Sequence, residues 1–97
     1  MSERDIFEEL YHVIETRNEN LPEESYTTSL FTHERGQNAI LEKLGEEATE
    51  VVLAAKDEDA DELVAESADL LYHLFVLLVE HDLTFAELTA ELEHRRG

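Results

Sequence analysis

Two short acidic clusters are the part of this chain best equipped for chemistry. The first is Glu46-Glu47-Ala48-Thr49-Glu50 and the second is Glu66-Ser67-Ala68-Asp69. Both sit inside helical hydrophobic patterns. Five carboxylates on two neighbouring helices can form an oxygen-only site for a hard divalent cation such as Mg²⁺. A site of that kind points to phosphate chemistry. Against it stands the composition, because the chain carries 25 acidic residues and any single carboxylate is weak support among so many.

Helical phasing sharpens the question. Each helical residue advances about 100°, so Glu46 and Glu50 lie about 40° apart with Glu47 on the flank nearest the apolar stripe. In the later segment Glu62, Glu66, Asp69 and His73 follow a four-three-four spacing and make one narrow polar stripe. Leu70 and Leu77 run along one side of it and Val76 along the other. Polar residues so far into an otherwise apolar helix are informative. Like charges within about 6 Å raise one another's pKa and destabilise a fold unless a cation neutralises them. That is the physical reason for placing a metal here, and a solvated face of a very acidic protein is the competing reading.

Nearby residues bear on the choice. Gly45 sits mid-helix, where it costs about 1 kcal/mol relative to Ala; close approach by a ligand or another helix is the usual justification. Lys43 and Arg35 are two of only seven basic residues, and both lie near the first cluster. Phosphate needs such cations, although a surface ion pair is the commoner use. Glu9–His12 and Glu91–His94 share the E-x-x-H spacing of di-iron carboxylate bundles, a pattern easily met by chance among this many glutamates. With three glycines there is no Gly-rich phosphate loop.

The elements that must position these groups are all helices. The pattern predicts a first helix from about Glu3 to Arg17, capped by Ser2 with Asp5 three residues on, and with Ile6, Leu10, Val13 and Ile14 inward. A loop carrying Pro22 follows, then a short helical piece between Tyr26 and Arg35 that Gly36 ends. Gln37 to Lys56 forms the next helix, with Ile40, Leu41, Leu44, Ala48, Val51, Val52 and Ala55 as its stripe. After a polar turn from Asp57 to Asp61, with Asp59 as cap and Glu62 as its capping-box partner, a helix runs to about His81. It is apolar nearly all round from Leu70 to Val79, so it is expected to be the most buried element. Thr84 with Glu87 opens a last helix to about Arg95, with Phe85, Leu88 and Leu92 inward. No segment alternates with a period of two. The fold class is all-α, a four-helix-bundle-like core with a short extra helix.

Length and charge set the limits. Ninety-seven residues suit a single domain over 1–97, and so short a chain gains core by oligomerising. Cysteine is absent, which excludes disulfides, thiolate zinc sites and thiol nucleophiles. The acidic, amphipathic N-terminus does not resemble a signal peptide. Together these features predict a soluble, cytoplasmic protein. A net charge of −18 argues against nucleic acid and anionic membranes as partners. Self-repulsion on that scale is largely screened at molar salt, where the Debye length is about 3 Å. With lysine confined to Lys43 and Lys56, the composition reads as salt adaptation of a halophilic kind.

The stretches Lys43-Leu-Gly-Glu-Glu-Ala-Thr-Glu50 and Glu66-Ser-Ala-Asp-Leu-Leu-Tyr-His73, with Ser25-Tyr26-Thr27-Thr28-Ser29-Leu30-Phe31, resemble the phosphoribosyl-ATP pyrophosphatase family. The first helix and a C-terminal Glu91-Leu92-x-x-Arg95 fit its ends. That family belongs to the all-α NTP pyrophosphatase superfamily, with the MazG proteins. The resemblance implies hydrolysis of phosphoribosyl-ATP to phosphoribosyl-AMP and pyrophosphate in histidine biosynthesis, Mg²⁺ dependence and a homodimer. It makes Glu47, Glu50, Glu66 and Asp69 the expected metal ligands, and Glu46 a ligand or a water-orienting base. Lys43 and Arg95 become phosphate contacts, and Ser25, Tyr26, Thr27, Tyr72 and His73 become pocket residues. Some members are fused to a zinc-dependent cyclohydrolase domain that this chain lacks. The rival readings are a MazG-like pyrophosphatase acting on a (d)NTP, a di-iron bundle and an acidic helical interaction module.

Overall fold

The computed structural model describes residues 5–97. Five helices follow in order: α1 (Asp5–Asn20), α2 (Tyr26–Phe31), α3 (Gln37–Lys56), α4 (Ala60–Glu80) and α5 (Phe85–Arg96). No strand occurs among the described residues. The expected beginning of the first helix, with Ser2 as its cap, lies outside the described residues. At its other end α1 continues three residues past the expected stop at Arg17.

The longest contact joins α3 to α4 as an antiparallel hairpin, with α1 and α2 laid against it. Local chemistry sets the ends of the hairpin. Gly36 caps α3 with φ +60° and ψ −140°, a conformation that a residue without Cβ adopts freely. It also explains why α2 stops at Phe31 rather than Arg35: the chain needs residues 32–36 to turn into α3. At the tip, Asp59 N–H reaches Ala54 C=O (3.2 Å) and Glu58 N–H reaches Ala55 C=O (3.2 Å), a Schellman closure with Glu58 at φ +56°. Asp59 then caps α4 by accepting from Glu62 N–H at 3.1 Å. A second Schellman turn ends α4, with Asp82 at φ +59°, and Thr84 and Glu87 complete a reciprocal capping box on α5.

The core gathers where all five helices are within reach. Tyr11, Ile14, Leu30, Ile40, Phe75, Val76 and Val79 are buried there, with Phe85 and Leu88 packed partly against them. Tyr11 meets the Phe75 ring edge-on at 5.2 Å and donates its hydroxyl proton to the Leu83 carbonyl at 2.7 Å. This bond ties α1 to the turn before α5.

Three expected faces turn out differently. In α1, Ile6 and Val13 are exposed and Tyr11 takes the inner position beside Ile14. In α5, Leu92 is exposed, because that helix lies on the core only through its first two turns. In α3 the inner line is Ile40, Glu47 and Ala54, with Leu44 and Val51 half-buried. Leu41, Ala48, Val52 and Ala55 face outward, since α3 has a single long neighbour and α4 covers only one flank of a wide stripe. The buried half of α4 is its C-terminal one, holding His73, Phe75, Val76 and Val79, while the half before Leu70 is mostly exposed. Among the described residues no third layer covers the far half of the hairpin, in keeping with a radius of gyration of 14.5 Å against the about 13 Å of a compact chain this long.

Candidate metal centre and substrate cleft

The acidic clusters meet across the hairpin. Helical spacing of three and four puts Lys43, Glu46, Glu47 and Glu50 on the flank of α3 that faces Glu66 and Asp69 of α4. These six, with Thr49, line an open cleft of about 450 Å³. At its floor, Glu47, Glu66 and Asp69 each offer a carboxylate oxygen within 4.8 Å of the others. Octahedral Mg²⁺ holds oxygens at about 2.1 Å, so opposite ligands stand about 4.2 Å apart. Adjacent ligands on such an ion stand about 3.0 Å apart, so the three carboxylates can close on one ion by rotating their side chains inward.

Two features of the floor mark it as more than a solvated acidic face. Glu47 is only 8 % exposed, and its Oε2 is buried without a hydrogen-bond partner. A charged oxygen in that state is costly unless a cation completes it. Hydrogen bonding to Glu47 and then to Glu62, helped by burial and by their charges, pushes the Glu66 carboxyl up to about 7 from its ordinary 4.5. A proton taken up there would offset part of the crowded charge, and a metal ion would offset more of it.

The other expected site residues separate into groups. Glu46 and Glu50 are exposed and line the cleft, outside the three-carboxylate cluster. Lys43 spans the mouth, with Nζ 3.6 Å from Glu46 and 3.8 Å from Glu47. The nearby Tyr26 hydroxyl holds its ammonium above the usual lysine range; burial opposes that rise, and Glu46 and Glu47 reinforce it.

His73 is buried behind the cleft. Its Nδ1 lies 2.8 Å from the Asp69 carbonyl oxygen, which can only accept, so Nδ1 carries the proton. Nε2 is then free to accept from the Tyr26 hydroxyl at 3.2 Å. Tyr26 stacks on Tyr72 with ring centroids 6.2 Å apart, and the Tyr72 hydroxyl bonds the Thr27 hydroxyl. Burial raises the Tyr72 phenol above its normal pKa, and the Thr27 bond opposes that rise.

The Ser25-Tyr26-Thr27 segment thus has three separate jobs. Only Tyr26 opens toward the acidic side, through a smaller cleft that adjoins the first. Thr27 points inward, and Ser25 caps α2 by accepting from Thr28 N–H at 3.3 Å. Arg95 is paired with Glu91 at 3.0 Å on α5 and lines neither cleft. The E-x-x-H pairs do not converge: the only cluster of metal-type side chains among the described residues is the carboxylate trio. Around Gly45 nothing within 4 Å would meet an added Cβ, so helix packing inside the chain does not explain that glycine.

Sequence reasoning passed over His33 and Ser29, which line the smaller cleft beside Arg35. Both lie at the end of α2 or in the turn after it, where no periodic signal reports which way a side chain points.

A family model described as Phosphoribosyl-ATP pyrophosphohydrolase matches residues 7–96. The chain belongs to that family. Among curated members of the phosphoribosyl-ATP pyrophosphohydrolase family, the phosphoribosyl-ATP pyrophosphatase of Haloarcula marismortui is 61 % identical over 92 residues, covering 95 % of this chain and 94 % of that one. The one from Haloquadratum walsbyi is 59 % identical over 90 residues, or 93 % and 90 % of the two chains. A more distant relative of the same name, from Clostridium novyi, is 48 % identical over 96 residues, covering 99 % of this chain and 86 % of its own.

Proposed function

We propose that this chain hydrolyses phosphoribosyl-ATP to phosphoribosyl-AMP and pyrophosphate, the second step of histidine biosynthesis. Family membership over residues 7–96 supports the substrate. The observation that carries the chemistry is the buried, unpartnered Glu47 oxygen within 4.8 Å of Glu66 and Asp69.

Glu47, Glu66 and Asp69 are the proposed Mg²⁺ ligands, and Glu50 extends the set from the wall of the cleft. When bound, the ion neutralises triphosphate oxygens and the charge that builds on departing pyrophosphate. The remaining work belongs to side chains. Glu46 stands outside the trio, exposed and able to swing on its stem, so it orients a water and takes its proton. The water oxygen forms a bond to phosphorus as the α–β anhydride P–O bond breaks, and the electron pair leaves with pyrophosphate. Lys43, held fully charged at the mouth, steadies phosphate oxygens that the acidic surface would otherwise repel. Tyr26, oriented by His73, forms the wall on the nucleoside side.

Assembly and setting follow from the same features. Leu41, Val52, Leu53 and Val64 expose large apolar side chains on the hairpin, and a second copy is the natural cover, giving a homodimer of single-domain protomers. No described helix is long and apolar enough to cross a membrane, in keeping with a cytoplasmic enzyme. The charge of −18 supports salt adaptation.

The deciding assay is pyrophosphate release from phosphoribosyl-ATP at molar salt, with and without Mg²⁺. Glu50→Gln and Asp69→Asn should each abolish turnover while the helical circular dichroism signal persists. Near-normal turnover in both variants sinks the site assignment, and absence of release by the wild-type chain sinks the reaction.

A further inference from the structure

We propose that His73, acting through the Tyr26 hydroxyl, is a positioning residue that holds the Lys43 ammonium at the mouth of the acidic cleft, off the carboxylates of its floor. This rests on the metal site proposed above and adds to it a device that keeps that site open.

The need for such a device is built into α3. Lys43 stands one helical turn before Glu46 and Glu47, the spacing at which a lysine reaches a carboxylate on its own helix. Glu47 is 8 % exposed and has an oxygen without a partner. An ammonium free to swing would settle on that carboxylate and take the place of the cation. Yet Nζ stays 3.6 Å from Glu46 and 3.8 Å from Glu47, beyond hydrogen-bond length in both cases. Something other than these ion pairs sets its place.

The hydrogen bonds behind the cleft supply it. The Asp69 carbonyl can only accept, so it takes the Nδ1 proton of His73 at 2.8 Å. Nε2 is left with a lone pair, and the Tyr26 hydroxyl donates to it across 3.2 Å. With its single proton committed, the Tyr26 oxygen presents only lone pairs to the cleft. Tyr26 and Lys43 line the same small cleft, and an ammonium, which can only donate, is the complement of such an oxygen. The Tyr26 oxygen also does more to raise the Lys43 ammonium than Glu46 or Glu47 does, as an atom close to Nζ would. His73 is buried, so the direction of the chain is fixed in the interior. Each proton from Asp69 to Lys43 then has one place to be. His73 sets which way the Tyr26 proton points, and Tyr26 sets where Lys43 waits.

The test is binding of Mg²⁺ to the full chain at fixed salt, measured by calorimetry without substrate. Tyr26→Phe keeps the ring and loses the oxygen. Lys43 should then close on Glu47, and the apparent Kd for Mg²⁺ should rise about three- to tenfold, the range of one hydrogen bond to a charged group in a partly exposed site. Lys43→Met removes the competing ammonium and should bind Mg²⁺ at least as tightly as wild type. Adding Tyr26→Phe to it should change nothing further. His73→Asn keeps a donor for the Asp69 carbonyl but cannot reach Tyr26, so it should repeat the loss. His73→Gln, whose side-chain oxygen reaches the Nε2 position, should recover most of it. Tyr26 is 52 % exposed, so the Tyr26 and Lys43 variants decide the matter even if a change at buried His73 unfolds the chain. An unchanged Kd in Tyr26→Phe, or the same rise with Lys43→Met present, overturns the inference and leaves the metal site standing, as does a folded His73→Asn that binds like wild type. If wild type binds no Mg²⁺, the metal site fails and this role for His73 fails with it.

Discussion

Replacing Glu47 with Gln should make the metal-free protein more stable and the enzyme inactive. Glu47 is 8 % exposed, one of its oxygens has no partner, and the carboxylates of Glu66 and Asp69 are within 4.8 Å. Two like charges about 5 Å apart repel by ~1–3 kcal/mol at effective dielectric constants between water and a protein surface. Against Asp69 alone, Glu47 reaches that scale. Gln keeps the shape, removes the charge and gives an amide donor to the acidic neighbours. At pH 8, where Glu66 has given up its proton, the loss is the contact with Lys43 at 3.8 Å, a partly exposed pair worth ~0–1 kcal/mol. A net gain of ~1–2 kcal/mol remains, or a rise in Tm of about 4–8 °C per kcal/mol for a chain of this size. Wild type in turn should gain ~2.7 kcal/mol from Mg²⁺ at a hundred times its Kd, and the variant almost nothing. Thermal melts of both proteins, in chelator and in Mg²⁺ at molar KCl, measure all four states. A variant that melts lower than wild type in chelator refutes the account of Glu47 as an uncompensated charge. One that keeps its Mg²⁺ shift and turnover refutes its assignment as a ligand.

Four further outcomes are expected. The Glu66 carboxyl is raised to about 7 in the fold against 4.5 unfolded, so the native state holds more protons in that window and metal-free stability falls as pH rises through it; the Mg²⁺-induced Tm shift should accordingly be larger at pH 8 than at pH 5, and an equal shift at both would count against a proton taken up there. Tyr11→Phe removes the 2.7 Å bond to the Leu83 carbonyl and should lower stability by ~1–2 kcal/mol in a denaturant titration with kcat unchanged. Glu58, at φ +56° in the hairpin turn, should gain ~1 kcal/mol on change to Gly, whereas Gly45→Ala should gain a similar amount from helix propensity because no atom of the chain blocks a Cβ there; a melt showing Gly45→Ala destabilised would mean that a partner or substrate packs against that position.

Much of this organisation was legible in the residues because local chemistry and helical period agree. Gln37 and Lys56 bound α3 as expected, between a glycine that breaks the helix and a run of acids that turns it. Asp59 and Thr84 cap the helices their side chains suggest. The stripe of Glu66, Asp69 and His73 was visible because it interrupts an apolar helix. What period alone could not decide is which flank of a wide stripe a neighbour covers. Leu41, Ala48 and Val52 have the same hydrophobic signature as Ile40 and Val51, and only the placement of α4 separates them. The Ser25-Tyr26-Thr27 segment was hidden for another reason. Three consecutive residues at the start of a short helix point three ways, and a cap, a wall and a buried hydroxyl all look polar in one dimension. Arg95 had a matching pattern but no geometry, and in this chain it pairs with Glu91 on its own helix.

The hairpin divides along its length: the aromatic and aliphatic core grips one half of α4, and the carboxylates occupy the other. Strengthening the first half need not touch the second, so a designer can raise thermal tolerance through Tyr11, Phe75 and their neighbours without retuning the cleft. The converse holds too. Glu46 and Glu50 are exposed and take no part in the core, so the scaffold should stay folded through substitutions there, whatever they do to the cleft.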